Sequence, residues 1–325
     1  MGGHLTSKKY LIHNLISVQD NFLKIPLQGR LNQAQKQEGV AEASPRQYGP
    51  RASAISKMMK EFSSPQDIIQ NIQERYLEKS GVTSTLLGEI ATDNGPCPFI
   101  RLKRKSGIGL PKILLSAGIH GDEPAGPHAV MSLLQKISDG TIILPKVNLD
   151  IFPLINPSGF LRRTRTNQQG KDLNRCFSTG HPPKEIRLMM DYLKNREYDL
   201  SVEFHEDIDT KGFYLYEHQP VDMAGSRTRA WGAEITTLLR KQGFPINESP
   251  VIEGMPAVDG VISPRRKRRS FFRRHGWPQA FYMHKHGTKR TLTLETPPCL
   301  SLEDRTKMHI EVFLFALKKL SGDAT

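Results

Sequence analysis

The sequence has few cysteines and no long hydrophobic run, and each absence excludes a class of protein. Its 325 residues include three cysteines, Cys97, Cys176 and Cys299. These are too few and too scattered for a disulfide framework or a cysteine metal site. No apolar run approaches the roughly 18 residues of a membrane span. The basic first residues are not followed by the apolar segment and cleavage site of a signal peptide. We therefore expect a protein without a transmembrane segment, located in the reducing cytoplasm.

Acidic residues are scarce relative to basic ones. The chain has 33 Asp and Glu against 46 Lys and Arg, which gives a formal net charge of +13. The excess is uneven, because seven of the ten residues from Arg265 to Arg274 are basic. A solvated loop is the simpler interpretation of this run. The alternative is a binding site for an anionic partner or substrate, since clustered positive charge attracts anions.

The composition changes at about residue 65. The stretch from Gln28 to Ala54 is rich in Gln, Gly, Ala, Ser and Arg, as is typical of a linker or disordered segment. From Ser64 onward, a capping residue precedes apolar residues at helical spacing. The sequence therefore predicts an N-terminal extension over 1–65, partly linker or disordered, and one large domain over 66–325.

Strand-like and helix-like segments alternate along this domain. Apolar runs predict strands at 112–117, 148–154, 200–204 and 290–294. Amphipathic patterns predict helices at 124–137, 184–196, 227–241 and 301–320. Such alternation predicts an α/β fold with a mixed, largely parallel central sheet and helices on both faces.

One strand candidate ends in a pattern that suits metal binding. The apolar run from Ile113 leads into His120, and Glu123 follows three residues later as a helical pattern begins. Open α/β sheets bind ligands at the carboxyl ends of their strands. An imidazole and a carboxylate are two-thirds of the His, His, Glu ligand set of a hydrolytic zinc site. His205, at the end of another strand candidate, supplies the third.

Two further motifs carry groups that such a site would use. Asn156 to Arg175 contains Arg165 and ends in Asp-Leu-Asn-Arg, and Glu295 ends the strand candidate Leu-Thr-Leu-Glu. A carboxylate such as Glu295 can accept a proton from water and return it to a leaving amine. Arg165 offers permanent positive charge where an oxyanion develops. Arg175 presents a planar donor fork that suits a carboxylate, and Asn174 adds an amide donor.

The ordered set of motifs between 113 and 297 resembles the zinc carboxypeptidases of the M14 type. It looks closest to the compact bacterial members that include murein peptide amidases. The resemblance implies that His120, Glu123 and His205 bind one zinc ion in a catalytic domain over 66–325. It also implies a hydrolase that cleaves a C-terminal amide bond of a peptide. The expected substrate is a peptide or acylated amino acid with a free carboxylate.

The resemblance assigns the remaining motif residues as well. Arg165 matches the arginine that polarises the scissile carbonyl. Asn174 and Arg175 match the pair that holds the terminal carboxylate of the substrate. Glu295 matches the catalytic general base.

Two other functions remain open at this stage. N-acyl amino-acid deacylases of the aspartoacylase and succinylglutamate desuccinylase type share the His-Gly-x-Glu and Asp-Leu-Asn-Arg elements. The stretch from Arg162 to Asn167 looks carboxypeptidase-like instead. A non-catalytic binding module for an anionic polymer is the third possibility, although the presence of His120, Glu123, His205 and Glu295 argues against it.

Four residues near the motifs have two interpretations each. Asp122 either supports a metal-binding histidine or is a carboxylate at a helix N-terminus. Glu206 and Asp207, directly after His205, either support the ligands or line the substrate pocket. Larger family members carry a tyrosine shortly before the catalytic glutamate. Tyr282 does not match that spacing, and hydrophobic packing is its simpler role.

Overall fold

A mixed ten-stranded sheet forms the centre of the described structure, which is a computed structural model covering residues 64–219, 230–263 and 275–322. The basic run 265–274 and all but the last residues of the predicted extension 1–65 lie outside the described residues. Their predicted roles therefore stay predictions. The strands are β1 Thr83–Thr92, β2 Gly95–Arg104, β3 Lys112–Ala117, β4 Asn148–Phe152, β5 Leu200–Glu206, β6 Tyr214–His218, β7 Val251–Ile252, β8 Met255–Val258, β9 Val261–Ile262 and β10 Arg290–Thr296.

The four central strands of the sheet are parallel. The strand order is β1-β2-β4-β3-β5-β10-β6-β9-β8-β7. Parallel pairing joins β4 to β3, β3 to β5 and β5 to β10, whereas the outer strands pair mostly antiparallel. The carboxyl ends of β3, β5 and β10 consequently meet at one edge, which is where the sequence places its candidate site residues.

Helices cover the sheet. They are α1 Pro65–Asn71, α2 Leu77–Ser80, α3 Ala125–Ser138, α4 Pro157–Arg162, α5 Lys184–Leu193, α6 Gly232–Lys241, α7 Gln279–Lys285 and α8 Leu302–Ser321, with a π-helical segment at Ile72–Tyr76 and a 3-10 turn at Leu173–Arg175. Local sequence fixes several ends. Ser64 and Asp67 form a capping box at α1, and the Ser301 hydroxyl accepts from the Asp304 amide at α8.

Two hydrophobic clusters on opposite faces of the sheet hold these layers together. Alternate residues of β3 belong to different clusters, because side chains of a strand alternate between faces. Ile113 and Leu115 pack with α1, α3, α6 and α8, whereas Leu114 packs with α5 and α7. The predicted arrangement of a mixed central sheet between helices is therefore confirmed. None of the described helices is long and apolar enough to cross a membrane.

Candidate metal centre

His120 and Glu123 lie in the tight turn between β3 and α3. The turn packs directly against the start of α4, and it can do so because residue 121 is glycine. A Cβ atom on Gly121 would lie 1.9 Å from the carbonyl carbon of Gly159. The Gly121 amide donates to the Thr164 carbonyl at 3.0 Å. This contact fixes the height of the turn above the sheet and thereby the positions of His120 and Glu123.

His120, Glu123 and His205 form one buried cluster at the carboxyl ends of β3 and β5. The Nδ1 atom of His120 lies 2.6 Å from Oε1 of Glu123, and Nδ1 of His205 lies 2.8 Å from Oε2. The centroids of the two imidazole rings are 4.9 Å apart. One candidate ligand atom from each residue lies within 4.8 Å of the other two. His205 thus contacts the carboxylate of Glu123, which lies 82 positions earlier in the sequence.

The far side of each imidazole also faces a carboxylate. Nε2 of His120 lies 3.3 Å from Asp172 Oδ1, and Nε2 of His205 lies 3.8 Å from Glu203 Oε2. Metal-binding histidines commonly have this environment, because a carboxylate on the outer nitrogen fixes the tautomer and orients the ring. Two imidazole nitrogens and one carboxylate oxygen within 4.8 Å of one another make a donor set that fits a zinc ion.

Electrostatics keep Glu123 ionised. Burial alone would raise the pKa of Glu123, but the facing imidazoles of His120 and His205 hold the pKa of this carboxyl well below its ordinary value. Burial alone would also lower the pKa of His205, and the Glu123 carboxylate reverses this effect and raises it. The negative charge of Glu123 and the positive charge of the imidazoles therefore compensate each other within the buried cluster.

Glu295 lies beside the cluster without being part of it. It pairs with His205 in the register of the parallel strands β5 and β10. Adjacent residues in register project from the same face of a sheet. Burial raises the pKa of Glu295 to about 8; His205 opposes this rise, and Glu123 and Asp207 add to it. A carboxylate with a raised pKa next to a candidate cation site is suited to proton transfer near neutral pH.

Asp172 connects the cluster to the arginine loop. Its Oδ1 atom faces His120 and accepts from the Asn174 amide at 2.9 Å. Its Oδ2 atom accepts from Nε of Arg165 at 3.2 Å. Nη1 of Arg165 in turn lies 3.6 Å from Oε1 of Glu123. The guanidinium of Arg165 is therefore held next to the cluster while about half of the side chain stays exposed.

Asn174 and Arg175 lie in the 3-10 turn that Asp172 caps. Oδ1 of Asn174 accepts from the Gln279 amide at 2.8 Å, which anchors the turn to α7. Nη1 of Arg175 donates to the carbonyl of Asn174 at 2.9 Å, and the residue is exposed. The turn thus presents an exposed guanidinium from a firmly anchored backbone.

The structure separates the two interpretations of Asp122 and supports one role for Tyr282. Asp122 is exposed, and the carboxylate that contacts His120 is Asp172 instead. Tyr282 is buried on α7, with its ring 5.4 Å from that of Phe177 and 4.0 Å from that of His286. Its role is packing.

Comparisons with known proteins agree with this arrangement. Residues 109–242 match the family model of the succinylglutamate desuccinylase/aspartoacylase catalytic domain. Carboxypeptidase D of Mus musculus is 27% identical over 130 residues, which cover 30% of this chain and 9% of that protein. Carboxypeptidase SOL1 of Arabidopsis thaliana is 31% identical over 103 residues, covering 27% and 21%. The matched part thus spans about a fifth or less of these relatives.

Solved structures share the fold over most of the chain. A candidate metallopeptidase from Shewanella amazonensis SB2B superposes with a TM-score of 0.65 at 23% identity, covering 79% of this chain and 94% of that one. A metallo-carboxypeptidase from Burkholderia cenocepacia gives 0.53 at 19% identity, covering 79% and 68%. These solved structures share the fold of the chain, whereas the family model and the carboxypeptidase relatives match parts of its sequence. Over residues 109–242 the chain is similar to the succinylglutamate desuccinylase/aspartoacylase catalytic domain, and its similarity to carboxypeptidases supports a relation to the M14-like hydrolases.

Proposed function

We propose that the protein is a zinc-dependent hydrolase that cleaves the C-terminal amide bond of a peptide, as a metallocarboxypeptidase or peptide amidase. The observation that carries the proposal is the convergence of His120, Glu123 and His205 beside Glu295 at one edge of the sheet. His120, Glu123 and His205 would hold one zinc ion. A zinc ion with three protein ligands lowers the pKa of a bound water toward about 7 and polarises a carbonyl.

Glu295 is the proposed general base. It neighbours His205 on the adjacent strand and is not among the clustered ligand atoms. Its side chain accepts the proton of the attacking water and later returns it to the leaving amine. The pKa of this carboxyl falls when a cation binds next to it, so that Glu295 is ionised before the reaction begins.

Arg165, Asn174 and Arg175 are the proposed substrate contacts. Arg165 lies beside Glu123, so its fixed positive charge is close to the carbonyl that becomes an oxyanion. The exposed guanidinium of Arg175, together with the Asn174 amide group, would bind the substrate's terminal carboxylate. Asp172 holds all three in one network, because it contacts Arg165 directly and caps the turn that carries the other two.

Deacylation of an N-acyl amino acid is the second candidate function. The match of residues 109–242 to the succinylglutamate desuccinylase/aspartoacylase catalytic domain favours it. Both reactions hydrolyse an amide bond near a free carboxylate, and the same ligands, base and arginines would serve either. They differ in the group on the acyl side, which is a peptide in one case and a small acid in the other.

A substrate panel separates the candidates. The zinc-loaded protein would be assayed against peptides with varied C-terminal residues, the same peptides amidated at the C-terminus, muropeptides and N-acyl amino acids. Cleavage of the free but not the amidated peptides supports the carboxypeptidase. Turnover of N-acyl amino acids alone supports the deacylase. No turnover of any of them by the zinc-loaded protein would contradict both proposals, and the Glu295→Gln variant provides the inactive control.

A further inference from the structure

A buried ion pair lies directly behind the candidate metal centre. Arg305, in the first turns of α8, donates from Nη1 to Oε2 of Glu206, the last residue of β5. The Glu206 side chain is 1% exposed and that of Arg305 12%. Oε1 of Glu206 accepts from the Ala125 amide at 2.6 Å. A carboxylate at this depth needs such partners, because an unpaired buried charge is strongly unfavourable.

The second partner of Glu206 is the start of helix α3. Ala125 is the first residue of α3, and Pro124, which precedes it, provides no side-chain cap. The first amides of a helix lack partners within the helix and carry partial positive charge. Glu206 therefore caps α3 from a different strand. This cap fixes the chain two residues after the candidate ligand Glu123.

Glu206 also contacts Glu123 directly. Its backbone amide donates to Oε2 of Glu123 at 3.2 Å, and this oxygen is the one that faces Nδ1 of His205. Glu206 thus holds Glu123 at two points. Its backbone amide binds the Glu123 carboxylate, and its side chain caps the helix start that follows Glu123. Since Glu206 is next to His205 in the chain, the same residue fixes two of the three candidate ligands relative to each other.

We infer that Glu206, neutralised and oriented by Arg305, is a positioning residue that sets the geometry of the ligands Glu123 and His205. The inference rests on the proposed metal-dependent function and adds α8 to the elements that shape the centre. Removal of the pair should loosen the ligand set and weaken metal binding. Loss of groups that orient metal ligands typically costs about 10- to 100-fold in metal affinity.

A second buried ion pair in the same protein provides a matched control. Glu217, on β6, pairs with Arg290 and accepts from the Gly232 amide at 2.8 Å, so it caps the first residue of α6. Both side chains are at most 5% exposed. Arg290 opens β10, so its Cα lies about 17 Å along the strand from that of Glu295. Glu217 lies opposite Leu292, about 10 Å along the strand from Glu295. Both pairs are buried and both glutamates cap a helix start, whereas the Glu217–Arg290 pair contacts none of the candidate ligands through the contacts described for it.

The test compares zinc affinity with stability in the full chain. The double variants Glu206→Gln/Arg305→Met and Glu217→Gln/Arg290→Met would be prepared with wild type, Glu206→Ala and His120→Ala. Zinc dissociation constants are measured by competition with a chromophoric chelator, and Tm is measured on the metal-free proteins. Visible spectra of the Co²⁺-loaded proteins report ligand geometry.

We expect both double variants to have a lower Tm than wild type. Only the variants at Glu206 should raise the zinc dissociation constant, about 10-fold or more, and shift the Co²⁺ spectrum. Glu206→Gln/Arg305→Met keeps a carbonyl oxygen at the helix start, so it should lose less affinity than Glu206→Ala. Equal zinc affinity in both double variants and wild type would overturn the inference while leaving the proposed function intact. Failure of wild type to bind zinc more tightly than His120→Ala would instead overturn the metal centre itself.

Discussion

Gly121 is the position at which a single methyl group should damage the candidate centre most. In Gly121→Ala the new Cβ would lie 1.9 Å from the Gly159 carbonyl carbon and 2.2 Å from the Phe160 amide nitrogen. Ordinary contact begins near 3.4 Å, so one backbone must move by about 1.5 Å. Both neighbours are backbone atoms, which cannot rotate away as a flexible side chain would. The turn that carries His120 must therefore shift or α4 must retreat.

We expect this overpacking to cost about 3 kcal/mol in the free energy of unfolding. At roughly 2 °C or more of Tm per kcal/mol for a domain of this size, Tm should fall by at least about 6 °C. Zinc affinity should fall as well, because His120 is the next residue. The matched control is Gly180→Ala, where an added Cβ meets nothing within 4 Å. Calorimetry measures Tm, and chelator competition measures zinc affinity, for both variants and wild type. A Gly121→Ala protein with Tm within about 2 °C of wild type and unchanged zinc affinity would refute the reasoning.

Three further substitutions test separate parts of the site. Glu295→Gln should keep zinc bound and reduce kcat by about 10²- to 10⁴-fold, because the amide cannot accept a proton; near-normal turnover would exclude Glu295 as the base. Arg175→Ala should raise KM for peptides with a free C-terminus and remove the preference over amidated peptides; an unchanged preference would mean that another group binds the carboxylate. Asp172→Asn should weaken zinc binding about 10- to 100-fold, because the amide orients the His120 ring less well; unchanged affinity would show that the ring is fixed by packing alone.

The central strands could be predicted from the sequence because their signals are local. Continuous apolar runs mark β3, β4, β5 and β10, and the observed ends differ from the predicted ones by two residues or fewer. The hairpin of β1 and β2 cannot be recognised in this way, because β1 has no apolar run and only one of its ten residues is buried. The turn residues Asp93 and Asn94 before Gly95 were a usable signal for it. Strands β7 and β9 have two residues each, too few for any periodicity.

The candidate ligands could be predicted as a set because each follows a recognisable strand, and strands of one parallel sheet end at one edge. The side chains that hold these ligands in place could not be predicted from the sequence. The contact of Asp172 with His120 spans 52 residues, and that of Arg305 with Glu206 spans 99. The packing of α4 and α8 determines which side chain reaches the outer nitrogen of a histidine and which one caps a distant helix. Sequence spacing does not contain that information.

We propose that His120, Glu123 and His205 bind one zinc ion that the hydrolysis requires. The most direct test of this proposal is the zinc content and peptidase activity of wild type, His120→Ala and His205→Ala after exhaustive dialysis against a chelator and reloading. We expect one zinc per wild-type chain and activity that is lost with the metal and restored by it. We expect neither zinc nor activity in the two variants. Full zinc content in either variant, or undiminished activity of the metal-free wild type, would contradict it.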